Sequence, residues 1–453
     1  MYFGTEWRST LGMQNPTALA SGAFLNLFNQ VLPAREINRA LRPCRLQRRR
    51  PPLVTHREVV QALVYHTVAG AGTLAQHVKQ ITGHTITDGA LSQRRSRLPW
   101  ELFAHLMTLA LRPKAQLAAH PDAFYQGLRL CGLDGSCFGI ANTPQVKRQM
   151  QKARTRRGRA AFAHLGVAVL VELGLRNPLA ASVGRHGESE MELAQPLLAA
   201  LPERSLLLID RYYGVGKLLV ELAAEGQREF LVRVRQNLQP RYLETYADGS
   251  ALVAIGGGPK QRLVRQIVGQ VRRGRGPVTT VRLWTSLLDW RQHPAAVLLA
   301  LYARRWEQEG FYKELKVDTR STPQVQSHTP LTAAQEIAAL ILAYAVLVDQ
   351  RIQAAKVGEV GVLRISFLKT LQALRGLWQF LEVASDLLSA DALRLVVRRT
   401  LRQLAAQAIP KRRARSCPRA LRQPVSSWPR LRRNTYRHGP VEYTVHSQVR
   451  PNS

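Results

Sequence analysis

The chain has 453 residues, 45% of them apolar, which gives enough length for two or three buried cores and sets aside a disordered protein. Its 65 Lys and Arg against 30 Asp and Glu leave a formal net charge of +35, which calls for a polyanionic partner. The four cysteines have no CxxC spacing, residues 1–7 carry no secretory pattern, and the apolar run 337–348 is too short for a bilayer, so a reducing cytoplasm, no zinc site and no membrane span are expected.

Residues 1–120 read as a helical domain with a basic segment at 48–52. Helical periodicity over 57–65 and 72–81, a break at Gly83-His84, and a third helix capped by Thr87 or Asp88 resemble a helix-turn-helix, with Gln93, Arg94 and Arg95 as its DNA contacts. An ordinary helical bundle with a basic face fits the same pattern. From residue 121 strands alternate with helices. A strand over 128–133 ends on Asp134-Gly135, with 138–141 as its hairpin partner. No acid stands between Asp134 and Glu172, whereas Lys147, Arg148, Lys152, Arg154, Arg156, Arg157 and Arg159 crowd that interval as candidate phosphate contacts. Strands over 163–173 and 179–183, an amphipathic helix over 188–201, a buried-type strand over 206–210 closing on Asp210, a helix over 216–224 and a strand over 230–234 follow. Residues 229–295 read as an all-β insertion with runs at 263–271 and 278–288. After it come the stretch 301–316, a long apolar helix over 333–355, and helical sequence to about 406. The tail 411–453 is rich in Arg and Pro with Glu442 as its one acid, and reads as a loosely ordered extension contacting nucleic acid. The expected domains are 1–120, a catalytic core in two parts (121–228 and 296–360), the insertion 229–295, and a C-terminal helical region with a basic tail, 361–453.

The stretch 301–316 carries the chemistry. Ala, Leu, Glu, Gln, Lys and Arg dominate it, so it should be helical. With Tyr302 at zero and about 100° per residue, Arg305 falls at roughly 300°, Glu309 at roughly 340° and Lys316 at roughly 320°, while Glu307 and Glu314 fall at roughly 140° and 120°. One narrow face therefore holds Tyr302, Arg305, Glu309 and Lys316, and Glu309 is set apart from its acidic neighbours. A solvated helix with i,i+4 pairs is the plain alternative. Asp134 and Asp210 stand just past the ends of predicted buried strands, where sites gather in open α/β sheets. Three carboxylates brought together require a cation, and one or two Mg²⁺ ions would suit in-line phosphoryl displacement. On this reading Glu309→Gln abolishes cleavage and Glu307→Gln is tolerated. Glu188 and Glu190 read as acids drawn to a helix N-terminus, and His186 as a loop histidine.

Tyr302, Arg305, Glu309 and Lys316 match the Y-x2-R-x3-E-x6-K signature, and the chain resembles the DDE transposases of bacterial insertion sequences of the insertion-sequence-four type. Asp134-Gly-Ser and Asp210-Arg-Tyr-Tyr-Gly214 resemble the family's two aspartate segments, with Tyr212 where a small residue is usual. The resemblance covers about 55–350. It implies an α/β fold with a ribonuclease-H-like core, a mixed sheet flanked by helices, together with a β-rich insertion and an N-terminal helical DNA-binding domain. It also implies cut-and-paste transposition: Asp134, Asp210 and Glu309 holding two Mg²⁺ (Mn²⁺ able to substitute), with Tyr302, Arg305, Lys316 and Arg211 on DNA. The partners would be double-stranded terminal inverted repeats and target DNA, engaged by a homodimer at the nucleoid. A partly flipped end would stack on an aromatic of the insertion; Trp284 and Trp290 are the candidates, with burial in the core the reading favoured for both.

Overall fold

The computed structural model describes residues 19–410 except 45, 47–51, 151, 153, 156–157, 161, 186, 215, 224–227, 274–275, 321–323 and 385–386, and beyond them 415–416, 437–438 and 441–445. Most of segment 48–52, His186, Arg156, Arg157 and most of the tail lie outside the described residues.

Among the described residues six α-helices come first: α1 Leu19–Val31, α2 Ala34–Leu41, α3 His56–Ala69, α4 Leu74–Thr82, α5 Asp88–Ser96 and α6 Trp100–Ala110. Their boundaries follow from local chemistry. Thr55 and Glu58 form a capping box at the start of α3, as do Thr73 and Gln76 at α4, while Gly83 ends α4 in the left-handed region at φ +74°. Thr87, rather than Asp88, caps α5 by accepting from the Ala90 N–H.

The core sheet is built on β1 Leu128–Ile140, β2 Ala163–Glu172, β3 Asn177–Val183, β4 Ser205–Ile209 and β5 Arg228–Arg233. Its order is β3-β2-β1-β4-β5, with β2 antiparallel to both neighbours and β1, β4 and β5 mutually parallel. This is the expected mixed sheet flanked by helices. The sequence reading split 128–141 into a strand and its hairpin partner, whereas β1 runs unbroken through Asp134-Gly135 and pairs with β2 from Cys131 to Ile140. Asp134 therefore stands within a strand, not past its end. Two small residues beside the acid, Gly135 and Ser136, looked like a turn, but the long β2 partner keeps the backbone extended. Alternate β1 side chains enter two different apolar clusters, Leu130 and Phe138 on one face and Cys131 and Leu133 on the other, so both faces are covered.

Between β4 and β5 runs α9 Gly216–Leu222, and before β4 a short α8 Glu190–Ala194 passes into a 3₁₀ turn. A still shorter helix, α7 Pro144–Gln149, lies between β1 and β2. The β-rich segment adds β6 Arg241–Thr245, β7 Ala251–Ile255, β8 Arg262–Arg273 and β9 Thr279–Thr285, the first two unforeseen. It continues the core sheet, because β9 pairs with β5 (Trp284 opposite Val232) and the order runs on β5-β9-β8-β7-β6. Buried Arg265 ties this wing together through Asp248, Ser250 and the His293 carbonyl, and Asp248 accepts the Ala295 N–H at 2.8 Å, joining it to α10 Ala295–Leu301. Within the tail, β10 Val441–Val445 lies on β8, with Tyr443 opposite Val271.

After α10 the chain stays helical to residue 318 with changing pitch: 3₁₀ over Tyr302–Trp306, α11 Glu307–Lys313, then a π turn over Glu314–Asp318. One uniform helix over 301–316 was expected. The central helix α12 Pro330–Val357 is capped by Thr329 and has 21 buried residues, so its apolarity is satisfied inside the protein. It packs against α3, α6 and the closing helices α13 Phe367–Ala384 and α14 Ala390–Ala406.

Candidate active site

The parallel register pairs Leu133 of β1 with Ile209 of β4. One residue further along each strand stands an aspartate, so Asp134 and Asp210 sit side by side, about 4.8 Å being the usual strand spacing. Leu133 shares an apolar cluster with Ile209, and side chains alternate along β1, so Asp134 projects to the opposite face; Asp210, the first residue past β4, lies close enough for its charge to act on Asp134. That face carries α11: Gln308 packs on Gly132, where an added Cβ would lie 2.9 Å from Gln308 Cγ, and Tyr312 Oη donates to the Asp134 carbonyl at 2.7 Å.

Tyr302 and Arg305 line one cavity with Asp210, and Glu309 joins them through Arg305. Tyr302 Oη donates to the Ile209 carbonyl at 3.2 Å, and burial pushes its hydroxyl up to about 12. Arg305, hydrogen-bonded to Tyr302, pairs with Glu309 at 3.7 Å and lowers the Asp134 pKa by its charge. Asp210, Arg211, Arg233, Tyr302, Arg305, Trp306 and Tyr443 line one cavity of about 350 Å³. Lys316 stands further along β1, where its ammonium donates to Ser136 Oγ at 3.0 Å and to the Cys137 carbonyl at 2.7 Å. Burial holds its pKa below the ordinary lysine value.

Asp134 is raised to about 7, first by burial and then by the negative charges of Asp210 and Glu190, against a hydrogen bond from the Gly135 N–H. Glu190 was set aside as a helix-terminus acid. It does open α8, but its carboxylate also lies over Gly135, where an added Cβ would stand 2.3 Å from Glu190 Cδ, and Tyr213 Oη donates to it at 2.7 Å. Among the described residues no three His, Cys, Asp or Glu side chains are grouped closely enough to hold a metal ion. Asp134 stands within electrostatic reach of Asp210, Glu190 and Arg305, and Arg305 in turn pairs with Glu309.

The other expected contacts divide. Arg211, Lys147, Arg148 and Gln93 are exposed and Lys152 is half-buried, while the Arg154 side chain lies outside the described residues. Arg94 donates to the Val54 carbonyl. Arg95 turns inward to Gln335 at 3.2 Å, Ser327 at 2.8 Å and the Thr332 carbonyl, its pKa brought down to about 10 by burial. It fastens α5 to α12, which corrects its reading as a DNA contact; the exposed face of α5 carries Ser92, Gln93, Ser96 and Arg97. Trp284 is buried with its indole on Gln266 at 2.9 Å, whereas Trp290 stacks with Tyr246 at 6.2 Å. Sequence reasoning missed Arg233, Trp306 and Tyr443. Arg233 ends a strand whose apolar run was recognised; nothing in the tail pointed to Tyr443.

Residues 126–346 match the family model described as a transposase DDE domain. The chain is 26% identical over 282 residues to the transposase InsG for insertion sequence element IS4 of Escherichia coli K12, an alignment covering 60% of this chain and 62% of that protein. It is 28% identical over 122 residues to the putative transposase InsZ of the same organism, covering 26% and 41%. The chain thus spans less than two thirds of the length of either relative. A cryo-EM structure of the piggyBac transposase synaptic complex with hairpin DNA is similar at a TM-score of 0.41 and 12% identity, covering 89% of this chain and 87% of that one, a likeness too weak to argue from. The matched segment holds both aspartates and the helix that faces them, and over it the chain is similar to the DDE domain of transposases.

Proposed function

We propose that this protein is a DNA transposase that cleaves at the ends of its insertion sequence and joins them to target DNA by a cut-and-paste route. The observation that carries this reading is the register that sets Asp134 beside Asp210 under the helix of Tyr302, Arg305 and Glu309, within the matched domain. The chemistry of the donors suits a divalent cation, although the three acids stand too far apart here to share one. Asp134 is a buried carboxyl burdened by two further negative charges, and a cation among such groups relieves that repulsion. Asp134, Asp210 and Glu309 would hold Mg²⁺, two ions by the family resemblance, with Mn²⁺ able to substitute. Bound there, the metal supplies Lewis-acid stabilisation and an activated oxygen nucleophile for phosphoryl displacement.

The chain's own groups do the rest. Arg305 and Arg211 offer bidentate donors to phosphate oxygens at the cavity rim. Tyr302, whose hydroxyl stays protonated at neutral pH, fixes the 3₁₀ segment to the end of β4, so Arg305 is presented at a set height. Lys316, which gives two of its three N–H groups to β1, would offer the third to a further phosphate. Lys147, Arg148, Lys152, Arg154 and Gln93 would hold flanking duplex DNA, two protomers would pair the terminal inverted repeats, and the protein would work at the nucleoid.

Incubating the protein with Mg²⁺ and DNA bearing paired terminal repeats tests this. Joined products are expected, and Glu309→Gln should lower cleavage by at least about 10²-fold with end binding unchanged. Wild-type cleavage by that variant would overturn the assignment. A DNA-binding protein without catalysis is favoured by the spacing of the three acids, and binding without cleavage in the same assay would establish it.

A further inference from the structure

We infer that the turn 173–176 between β2 and β3 is a positioning element for the helix of Glu309, with Arg176 as its principal residue. The inference rests on the reading of Glu309 given above.

The two acids that sequence reasoning set apart from Glu309 grip this turn. Glu307 Oε2 accepts the Gly174 N–H at 2.6 Å, while its other oxygen accepts from Arg304 Nε at 2.7 Å. Seven residues on, buried Glu314 is paired with Arg176, and it also accepts from Arg351 Nη1 at 3.1 Å and from Tyr344 Oη at 2.6 Å. Burial opposes its ionisation, but the guanidinium groups of Arg351 and Arg176 hold the carboxyl below the ordinary range. Between the two acids Gly310 lets Arg176 lie against the helix backbone, since an added Cβ would stand 2.5 Å from Arg176 Cζ. Three helix positions, 307, 310 and 314, thus meet one turn on the side turned away from Glu309.

The turn itself is costly to form. Gly174 has φ +85° and Arg176 φ +55°, and the second is a left-handed conformation that residues other than glycine seldom adopt. A two-residue glycine turn would close the same hairpin without that cost, but it would carry no guanidinium. On the opposite side Gln308 and Tyr312 rest on β1 at Gly132 and Asp134. The helix is held between the turn and the strand of the first aspartate. The grip at 173–176 therefore sets how far Glu309 reaches toward Asp134 and Asp210. Arg176 acts through the helix and touches no substrate, so it is a positioning residue.

The test uses the full chain with Arg176→Met. Because breaking a buried ion cluster can unfold a protein, Glu307→Gln serves as a second variant at the outer end of the same turn. Mn²⁺ affinity is read without DNA from the paramagnetic resonance of free Mn²⁺, alongside end binding, cleavage at saturating Mn²⁺ and circular dichroism. Arg176→Met is expected to weaken Mn²⁺ binding and slow cleavage by about 10–100-fold each, as outer-shell changes do, with end binding within about twofold. Glu307→Gln should move the same two readouts by less. A folded variant with native Mn²⁺ affinity and native cleavage overturns the inference. So does activity lost only in proportion to the unfolded fraction. Glu309→Gln, run in parallel, separates the two failures: if it cleaves normally the functional reading falls and takes this inference with it, whereas if it is inactive and Arg176→Met is fully active, only the positioning role falls.

Discussion

Lys316 shows how one side chain can serve two ends. Two of its three N–H groups are engaged by Ser136 and the Cys137 carbonyl, which fastens the π turn to the strand of Asp134. Its substitution by Ala should weaken binding of the element end and lower the slope of log K against log salt by about 0.9, one phosphate's share. Titrations of labelled end DNA at several salt concentrations give that slope directly; an unchanged value would leave Lys316 as a fastening alone. Glu307 was expected to tolerate replacement by Gln. Both of its oxygens are engaged, so even the isosteric Gln loses a charge-assisted bond to Arg304.

At the level of the element, the wheel drawn for 301–316 was sound in what it grouped and wrong in its geometry. Tyr302, Arg305 and Glu309 do share a side, but they stand on a 3₁₀ segment followed by α-helix, and Lys316 on a π turn. Local composition specifies helix; the pitch is set by the grip of Arg176 and Arg351 on Glu314 and by Tyr302 reaching the end of β4, contacts from far along the chain. The same limit explains β1, whose course through Asp134 depends on a partner strand some thirty residues later. By contrast the capped helices α3 to α5 and the buried strand before Asp210 were legible, because their signals are local. The strand β10 was not, since its apolar residues are few and its partner lies far upstream. Gly269 of β8 makes room for it: an added Cβ would stand 2.3 Å from Leu299 Cδ2 and 3.0 Å from the Thr444 carbonyl. Gly269→Val should therefore displace β10 and cost about 1–3 kcal/mol, read as a lower Tm and as faster amide exchange across 441–445.

Over the whole molecule, a pair of histidines joins α3 to α4 and to the segment before α12. His66 Nδ1 and His77 Nδ1 are 2.9 Å apart, His77 Nε2 faces the Ala71 carbonyl at 2.9 Å, and His66 Nε2 faces Gln326 at 3.3 Å, with Glu336 and Arg95 nearby. Two nitrogens that close can share only one proton. Burial, and then the charge of His66, brings His77 down to about 4, and burial also lowers His66. A folded-state pKa below the unfolded value of about 6.5 means that the unfolded chain takes up protons first as the pH drops. Stability held above pH 6.5 should thus decline between about 6.5 and 4. Thermal melts across that range should show it, and His77→Gln should flatten the dependence.

The late strand also has a temporal consequence. Tyr443 forms part of the cavity wall beside Asp210 and Arg305, yet it lies more than two hundred residues after the first of them. A ribosome must pass residue 445 and release that segment before the wall exists. A polypeptide halted before Tyr443 carries both aspartates and the Glu309 helix around a gap, so the cleft closes only once synthesis has passed that strand.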